Sequence, residues 1–219
     1  MGNQDLIELS QKISKFVVGF EGNVSKKKDN KIVIKASGKK LYGINEKDFV
    51  TYDFKLNQID NFDNKGSMEL DFHCYLLSFE DINYVCHTHP TQTMKILCSN
   101  KIYEFAEKRI FPDQVVFNGV SSCIIPYVNP GIELKKTIEL EISKWIKNYG
   151  QLPKLILLKN HGIITFGKTV DECIIKTEIC EKSAEIFSGA LIHGIEFLTN
   201  NEVTELLNDE KEKYRINQL

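Results

Sequence analysis

The chain has 219 residues, 42% of them hydrophobic and 26% charged, with a formal net charge of −2 at pH 7. A chain of that length buries roughly 70% or more of its unfolded surface, so it can build a full core without disulfide or metal staples. The charge balance leaves no footprint for nucleic acid or an anionic membrane, and no apolar run approaches the ~18 residues of a membrane-crossing helix.

The opening residues, MGNQDLIELSQK, lack the apolar core of a secretory signal, and Leu6 stands where a myristoylation motif wants Ser or Thr. Residues 5–18 place Leu6, Ile7, Leu9, Ile13, Phe16 and Val17 at helical spacing. KKKDN at 26–30 reads as a hairpin tip with Lys26, Lys27 and Lys28 in solvent, and KIVIKASG at 31–38 as the returning strand. ELDFHCYLLSFE at 69–80 reads as a helix with Leu70, Cys74 and Leu77 on one side. NYVCHTH at 83–89 is a short β-rich run, followed at 90–99 by a helix with Pro90 in its first turn. FPDQVVFNGVSSCIIPYV at 111–128 is long for a loop and apolar, which marks either an interface or an extra core strand.

Residues 132–150 form an amphipathic helix closed by Gly150. KLILLKN at 154–160 is a buried-type strand. A long helix at 169–192 opens with a capping box of Thr169 and Glu172, and a polar, peripheral helix covers 201–219. Strands and helices mix without a strict βαβ rhythm, which gives an α/β class but not the strand directions. No repeat or linker interrupts the sequence, so we expect one domain over 1–219. The six cysteines are scattered, with no C-x-x-C pair, as expected of reduced core thiols in a cytoplasmic protein.

Only five histidines occur in the chain, yet His87 and His89 are one residue apart on the β-rich run. Residues i and i+2 of a strand share a face, so the two imidazoles sit side by side, with nitrogens able to converge on one metal ion. A catalytic metal wants a third protein ligand, and His161, beside Gly162 at a strand end, is the candidate. H-x-H alone is weak, since two such histidines can be ordinary side chains, and cupins, α-carbonic anhydrases and amidohydrolases also use it. A cupin would continue with Glu in a Gly-rich strand, where PTQTMKILCS follows here, and an amidohydrolase needs a barrel of ~250 residues or more.

Glu69 heads a helix, where the plain reading is a carboxylate favoured by the helix dipole and the functional one is a general acid/base beside the metal. His73, four residues on, reads as packing or support. The small-residue turns at Gly22, Asn23 and Ser25 and at Ser37 and Gly38 are either plain turns or backbone nests for an anion.

The ordered set GNVS, IVIKASG, GSMELDFHCYLLSFEDINYVCHTHP and LILLKNHGIITFGKTVDECI resembles the class II aldolase/adducin family, typified by L-fuculose-1-phosphate aldolase and L-ribulose-5-phosphate 4-epimerase, over about residues 6–194. The resemblance implies a three-layer α/β/α fold around a mostly antiparallel sheet, and a four-fold homotetramer with sites at subunit interfaces. It implies Zn2+, or another divalent cation such as Mn2+ or Co2+, on His87, His89 and His161, with Glu69 as acid/base. It implies phosphate binding at Gly22, Asn23, Ser37, Gly38 and Ser67. IIPYVNPG resembles the segment whose tyrosine reaches a neighbouring subunit's site, which suggests Tyr127; the added FPDQVVFNGVSS makes that match looser.

Two departures bear on function. The epimerase branch has Asp where this chain has Glu69, so the aldolase branch is closer. The family's Pro-Ser-Ser-Glu is here Gly66-Ser67-Met68-Glu69, so Met68 removes one hydroxyl donor to a phosphate. Charge-assisted bonds contribute roughly 1.5–3 kcal/mol each, which puts the substrate's phosphate in question. Lys39 is a candidate replacement charge, although a plain surface lysine reads the same. The expected activity is a metal-dependent aldolase that cleaves a ketose or ketose phosphate through a metal-stabilised enediolate. The alternatives are a 4-epimerase, a 3-oxo-acid-phosphate decarboxylase or a methylthioribulose-phosphate dehydratase. A non-catalytic adducin-like scaffold would lose the metal histidines, which are all present here.

Overall fold

A seven-stranded sheet carries the molecule. The computed structural model describes residues 2–216. The strands are β1 (Asn23–Lys28), β2 (Lys31–Lys35), β3 (Phe49–Tyr52), β4 (Tyr84–Thr88), β5 (Cys123–Ile125), β6 (Ile156–Leu158) and β7 (Gly162–Gly167), in spatial order β3-β2-β1-β4-β7-β6-β5. Every neighbouring pair is antiparallel except β5–β6.

Helices cover both faces. On one side lie α2 (Leu70–Leu77) and α6 (Ile132–Tyr149), packed on Ile32, Ile34, Val85, Ile125, Ile156 and Ile164. On the other lie α1 (Gln4–Ile13), α3 (Thr91–Leu97), α4 (Ile102–Glu107) and α7 (Val170–His193), packed on Val24, Val33, Cys86, Leu157 and Ile163. Neighbouring residues of one strand fall into opposite cores, Val85 with α2 and Cys86 with α1, as the two-residue period of a strand requires. The result is the three-layer α/β/α arrangement with a mostly antiparallel sheet that the resemblance implies. Among the described residues, no helix is long and apolar enough to cross a membrane.

Several local expectations change. The β1–β2 hairpin turns at Asp29 and Asn30, both at positive φ, as a two-residue I′ turn demands. Lys26 is therefore not at a solvated tip. It lies buried in β1, with its ammonium 2.6 Å from Asp5 Oδ1 on α1. The packed face of α2 is wider than expected: Phe72, His73, Leu76 and Leu77 are buried, and Leu70 and Cys74 pack half-buried against the same core.

Pro90 caps α3 from outside instead of lying in its first turn. Thr169 accepts from Glu172 N at 3.1 Å, but the Glu172 carboxylate pairs with Lys176 instead of closing the capping box. The apolar segment at 111–128 folds inward as α5 (Pro112–Asn118) and β5, burying Val115, Val116, Phe117, Cys123 and Ile125, so it is an added helix and core strand and not an exposed patch. The last helix is two, α8 (Asn200–Asn208) and α9 (Glu210–Ile216), broken at Asp209; residues 217–219 of the expected helix lie outside the described residues.

Candidate active site

Strand register builds the site. β4 is central, and His87 lies opposite Asn23 of β1 on one side and Ile164 of β7 on the other. All three point toward α2, so the Asn23 amide, the His87 imidazole and the start of α2 meet. His89 continues past the end of β4. His161 sits in the tight β6–β7 turn, where Asn160 adopts φ +57° and His161 N donates to Leu158 O at 3.1 Å. That turn brings His161 beside the other two, and the ligand atoms of the three imidazoles all lie within 4.8 Å of one another.

Gly162 makes this approach possible. A Cβ there would lie 2.6 Å from His89 Cδ2 and 2.6 Å from Thr88 O. Gly22 does the same on the far side of β4, since at φ +70° it tucks to within 2.8 Å of His87 O, measured from where its Cβ would be.

The protonation pattern suits a cation. His87 Nδ1–H donates to Ile163 O at 2.8 Å, which leaves Nε2 as a lone pair. His89 Nε2 faces it at 2.9 Å. Burial pushes all three imidazoles down to about 4, with the neighbouring His87 adding to the effect on His89 and His161. Neutral imidazoles crowded edge to edge are the form in which histidine ligates metal.

Glu69 completes the cluster. It is the N-cap residue of α2, as the helix-start reading has it, but its carboxylate makes no capping hydrogen bond and turns to the histidines instead. One oxygen, Oε2, accepts from Asn23 Nδ2 at 2.7 Å and lies 3.4 Å from His87 Nε2. The other, Oε1, is buried, accepts no hydrogen bond and lies 3.4 Å from His161 Nε2. Three neutral imidazoles and an unsatisfied buried carboxylate oxygen form a donor set that fits a divalent cation.

A support runs behind Asn23. Its Oδ1 accepts from His73 Nε2–H, and His73 Nδ1 is bonded to Ser25 Oγ at 2.6 Å. Burial holds the His73 imidazole well below its usual range, so it stays neutral in this chain of contacts. The Asn23 amide is thereby fixed with its NH2 toward Glu69 and Ser67.

A pocket of 200 Å3 opens above the cluster, lined by Gly22, Asn23, Ser37, Gly38, Ser67, Met68, Glu69, His89 and His161. The structure thus gathers the expected phosphate residues, the acid and two of the histidines around one cavity. Met68 is 75% exposed at its rim. Tyr127 stands apart: its side chain is exposed and does not line the pocket, although Pro130 of the same loop does. Lys39 is paired with Asp48 at 3.1 Å.

Two pocket residues escaped sequence reasoning. Lys35 is buried in β2, its ammonium donating to Lys39 O at 2.5 Å, and burial lowers it to about 8. Its position between the apolar Ile34 and Ala36 was the available signal, because a lysine on a buried strand needs a reason. Glu21 lines the pocket beside His89 and carried no signal beyond its place next to Gly22.

Comparisons with known proteins identify the family and the fold. An L-fuculose phosphate aldolase of Methanococcus maripaludis is 30% identical over 175 residues, 78% of this chain and 86% of the relative. A 3-oxo-tetronate 4-phosphate decarboxylase of Haemophilus influenzae is 25% identical over 195 residues, 88% of this chain and 89% of the relative. A solved L-fuculose 1-phosphate aldolase shares the fold, with a TM-score of 0.77 over 97% of this chain and 95% of that one, at 21% identity. The family model for the Class II Aldolase and Adducin N-terminal domain matches residues 4–188, nearly the whole length of the fold. The chain belongs to the class II aldolase and adducin family.

Proposed function

We propose that this chain is a zinc-dependent aldolase that cleaves a ketose or ketose phosphate into two carbonyl fragments. The observation that carries the reading is the convergence of His87, His89 and His161 with Glu69 under one pocket. The three imidazoles would hold the ion. When bound, a divalent cation supplies Lewis-acid polarisation of a substrate carbonyl. Glu69 Oε1, free of other partners, moves the proton at the carbon beside that carbonyl. Asn23, Ser67, Ser37 and Gly38 offer amide, hydroxyl and backbone donors that orient the substrate's far end, including a phosphate where it carries one.

Tyr127 acts on the hydroxyl of the leaving fragment. On this reading it serves a neighbouring subunit in a homotetramer, as the family resemblance implies, and its exposed position outside its own chain's pocket is compatible with that. The scattered unpaired thiols support a cytoplasmic setting.

A decarboxylase acting on a 3-oxo-acid phosphate is the second reading, favoured by the decarboxylase relative that aligns over 88% of the chain. Both reactions break a carbon–carbon bond next to a carbonyl. A panel of ketoses, ketose phosphates and 3-oxo-acid phosphates, scored for released aldehyde and for carbon dioxide, decides between them. Aldehyde release supports the aldolase; carbon dioxide without aldehyde replaces it with the decarboxylase. Neither product from any member, with metal bound, rejects both.

A further inference from the structure

A second carboxylate stands behind His89. Glu21 Oε2 lies 3.5 Å from His89 Nδ1. The same oxygen accepts from Val18 N at 3.0 Å, while Glu21 N donates to Val18 O at 3.2 Å. This reciprocal pair fixes the carboxylate inside a tight turn. The turn is anchored in its own right, by Gly22 tucked under the His87 carbonyl and by the Lys35 ammonium, 3.5 Å from Phe20 O. Glu21 is therefore set in place by the protein before any ligand arrives.

Imidazole chemistry says what the contact does. His87 Nε2 is a lone pair, so the 2.9 Å contact with His89 Nε2 is a hydrogen bond that His89 donates in the metal-free protein. Turning both Nε2 atoms to a cation moves the His89 proton to Nδ1, which faces the Glu21 carboxylate. A carboxylate behind a ligating histidine fixes the ring and raises the basicity of its far nitrogen. His87 has a backbone carbonyl in that place, from Ile163; His89 has a full negative charge.

We propose that Glu21 is a positioning residue of the metal centre: it favours the Nδ1–H tautomer of His89 that ligation requires and strengthens Nε2 as a ligand for a divalent cation. This rests on reading His87, His89 and His161 as that centre. The competing account makes Glu21 a staple for its own turn. The two separate at Glu21→Gln, because the amide oxygen still accepts from Val18 N but brings no charge to His89.

The test titrates the whole metal-free chain with zinc against a chromophoric chelator, in the wild type and in Glu21→Gln, with thermal melting of both metal-free proteins alongside. The expected result is zinc affinity about 10- to 100-fold weaker in Glu21→Gln, with the metal-free melting temperature unchanged. Equal affinity in the two proteins overturns the inference. Long-range proton–nitrogen NMR of the zinc-loaded wild type gives an independent check that no variant's folding affects. It is expected to show His89 protonated at Nδ1 and ligated through Nε2, and the opposite tautomer overturns the inference. A wild type that takes up no zinc overturns the metal-centre reading and this inference with it. Zinc uptake by the wild type with no loss in Glu21→Gln overturns this inference alone.

Discussion

The Asn23 amide donates to Glu69 Oε2 at 2.7 Å, and that bond makes the two oxygens of the carboxylate unequal. Oε2 is committed to Asn23; Oε1 is buried without a donor and faces His161. The free oxygen is the one available to a substrate proton. Glu69→Gln keeps an oxygen for Asn23 and removes the base. We expect it to retain fold and metal content while turnover drops ~10²–10⁴-fold, the usual worth of a positioned acid/base. Metal analysis and steady-state kinetics on the same preparation check this. Near-normal turnover excludes the role, and loss of metal makes Glu69 a ligand instead.

The imidazole triad predicts how the metal-free protein responds to acid. His87, His89 and His161 are held down to about 4 by burial, against an ordinary 6.5. Above pH 6.5 both folded and unfolded chains carry them neutral, and stability does not depend on them. Between 6.5 and about 4 the unfolded chain binds protons that the folded chain refuses, so stability falls as pH falls. The slope reaches about 1.4 kcal/mol per pH unit for each imidazole that stays neutral. Below about 4 their contribution levels off. Urea unfolding of the metal-free chain from pH 7.5 to 4.5 measures it against a triple His→Gln variant. Parallel pH profiles would show that the triad does not titrate this way.

Gly162 offers a steric test that leaves every polar group in place. A methyl group at this position meets the His89 ring and the Thr88 carbonyl, and the backbone carbonyl cannot rotate away. Gly162→Ala is expected to cost about 1–3 kcal/mol of stability, as overpacking does, and to weaken zinc binding by forcing His89 outward. Gly189, exposed on α7 with open space around its Cβ, is the control. Gly189→Ala should stabilise by up to about 1 kcal/mol through helix propensity. Thermal melts with and without zinc compare the two, and a Gly162→Ala protein with wild-type affinity would show that the ligand cluster tolerates the displacement.

Tyr127 allows the assembly proposal to be tested by mixing. Tyr127→Phe and Glu69→Gln chains are each expected to be inactive alone. Refolded together, they should regain part of the activity, because some sites then combine an intact Tyr127 from one chain with an intact Glu69 from another. No recovery, or full activity in a sedimenting monomer, places Tyr127 outside the chemistry of a neighbouring site.

What could be read in advance depended on whether the cue was local. His87 and His89 are legible because i and i+2 on a strand share a face whatever the rest of the chain does. His161 is legible through its glycine neighbour at a strand end. The α2 face was read too narrowly because helix 69–80 is apolar on more than one side, and packing on the sheet buries Phe72, His73 and Leu76 beyond Leu70, Cys74 and Leu77. Three consecutive lysines hid the alternation of β1, so Lys26 read as solvated until Asp5 of α1 was seen to meet it. Glu21 and Lys35 owe their importance to contacts with segments remote in sequence, and a lone glutamate in a turn resembles any surface residue. Pro112 at the start of α5 was a usable helix signal within the 111–128 segment, outweighed there by its run of β-branched residues.

The ladder pairing Asn23 with His87 and His87 with Ile164 also makes metal capture a report on folding. A slip of one residue in β4 would turn His87 into the opposite core and present Cys86 in its place. Until the β6–β7 hairpin docks on β4, His161 is missing and the chain offers two neighbouring imidazoles instead of three. That docking joins segments far apart in sequence, a contact whose loop-closure entropy makes it slow to form. An ion held by all three histidines therefore binds the finished register and neither the slipped nor the half-built one, and by mass action it draws the population toward the correctly paired sheet.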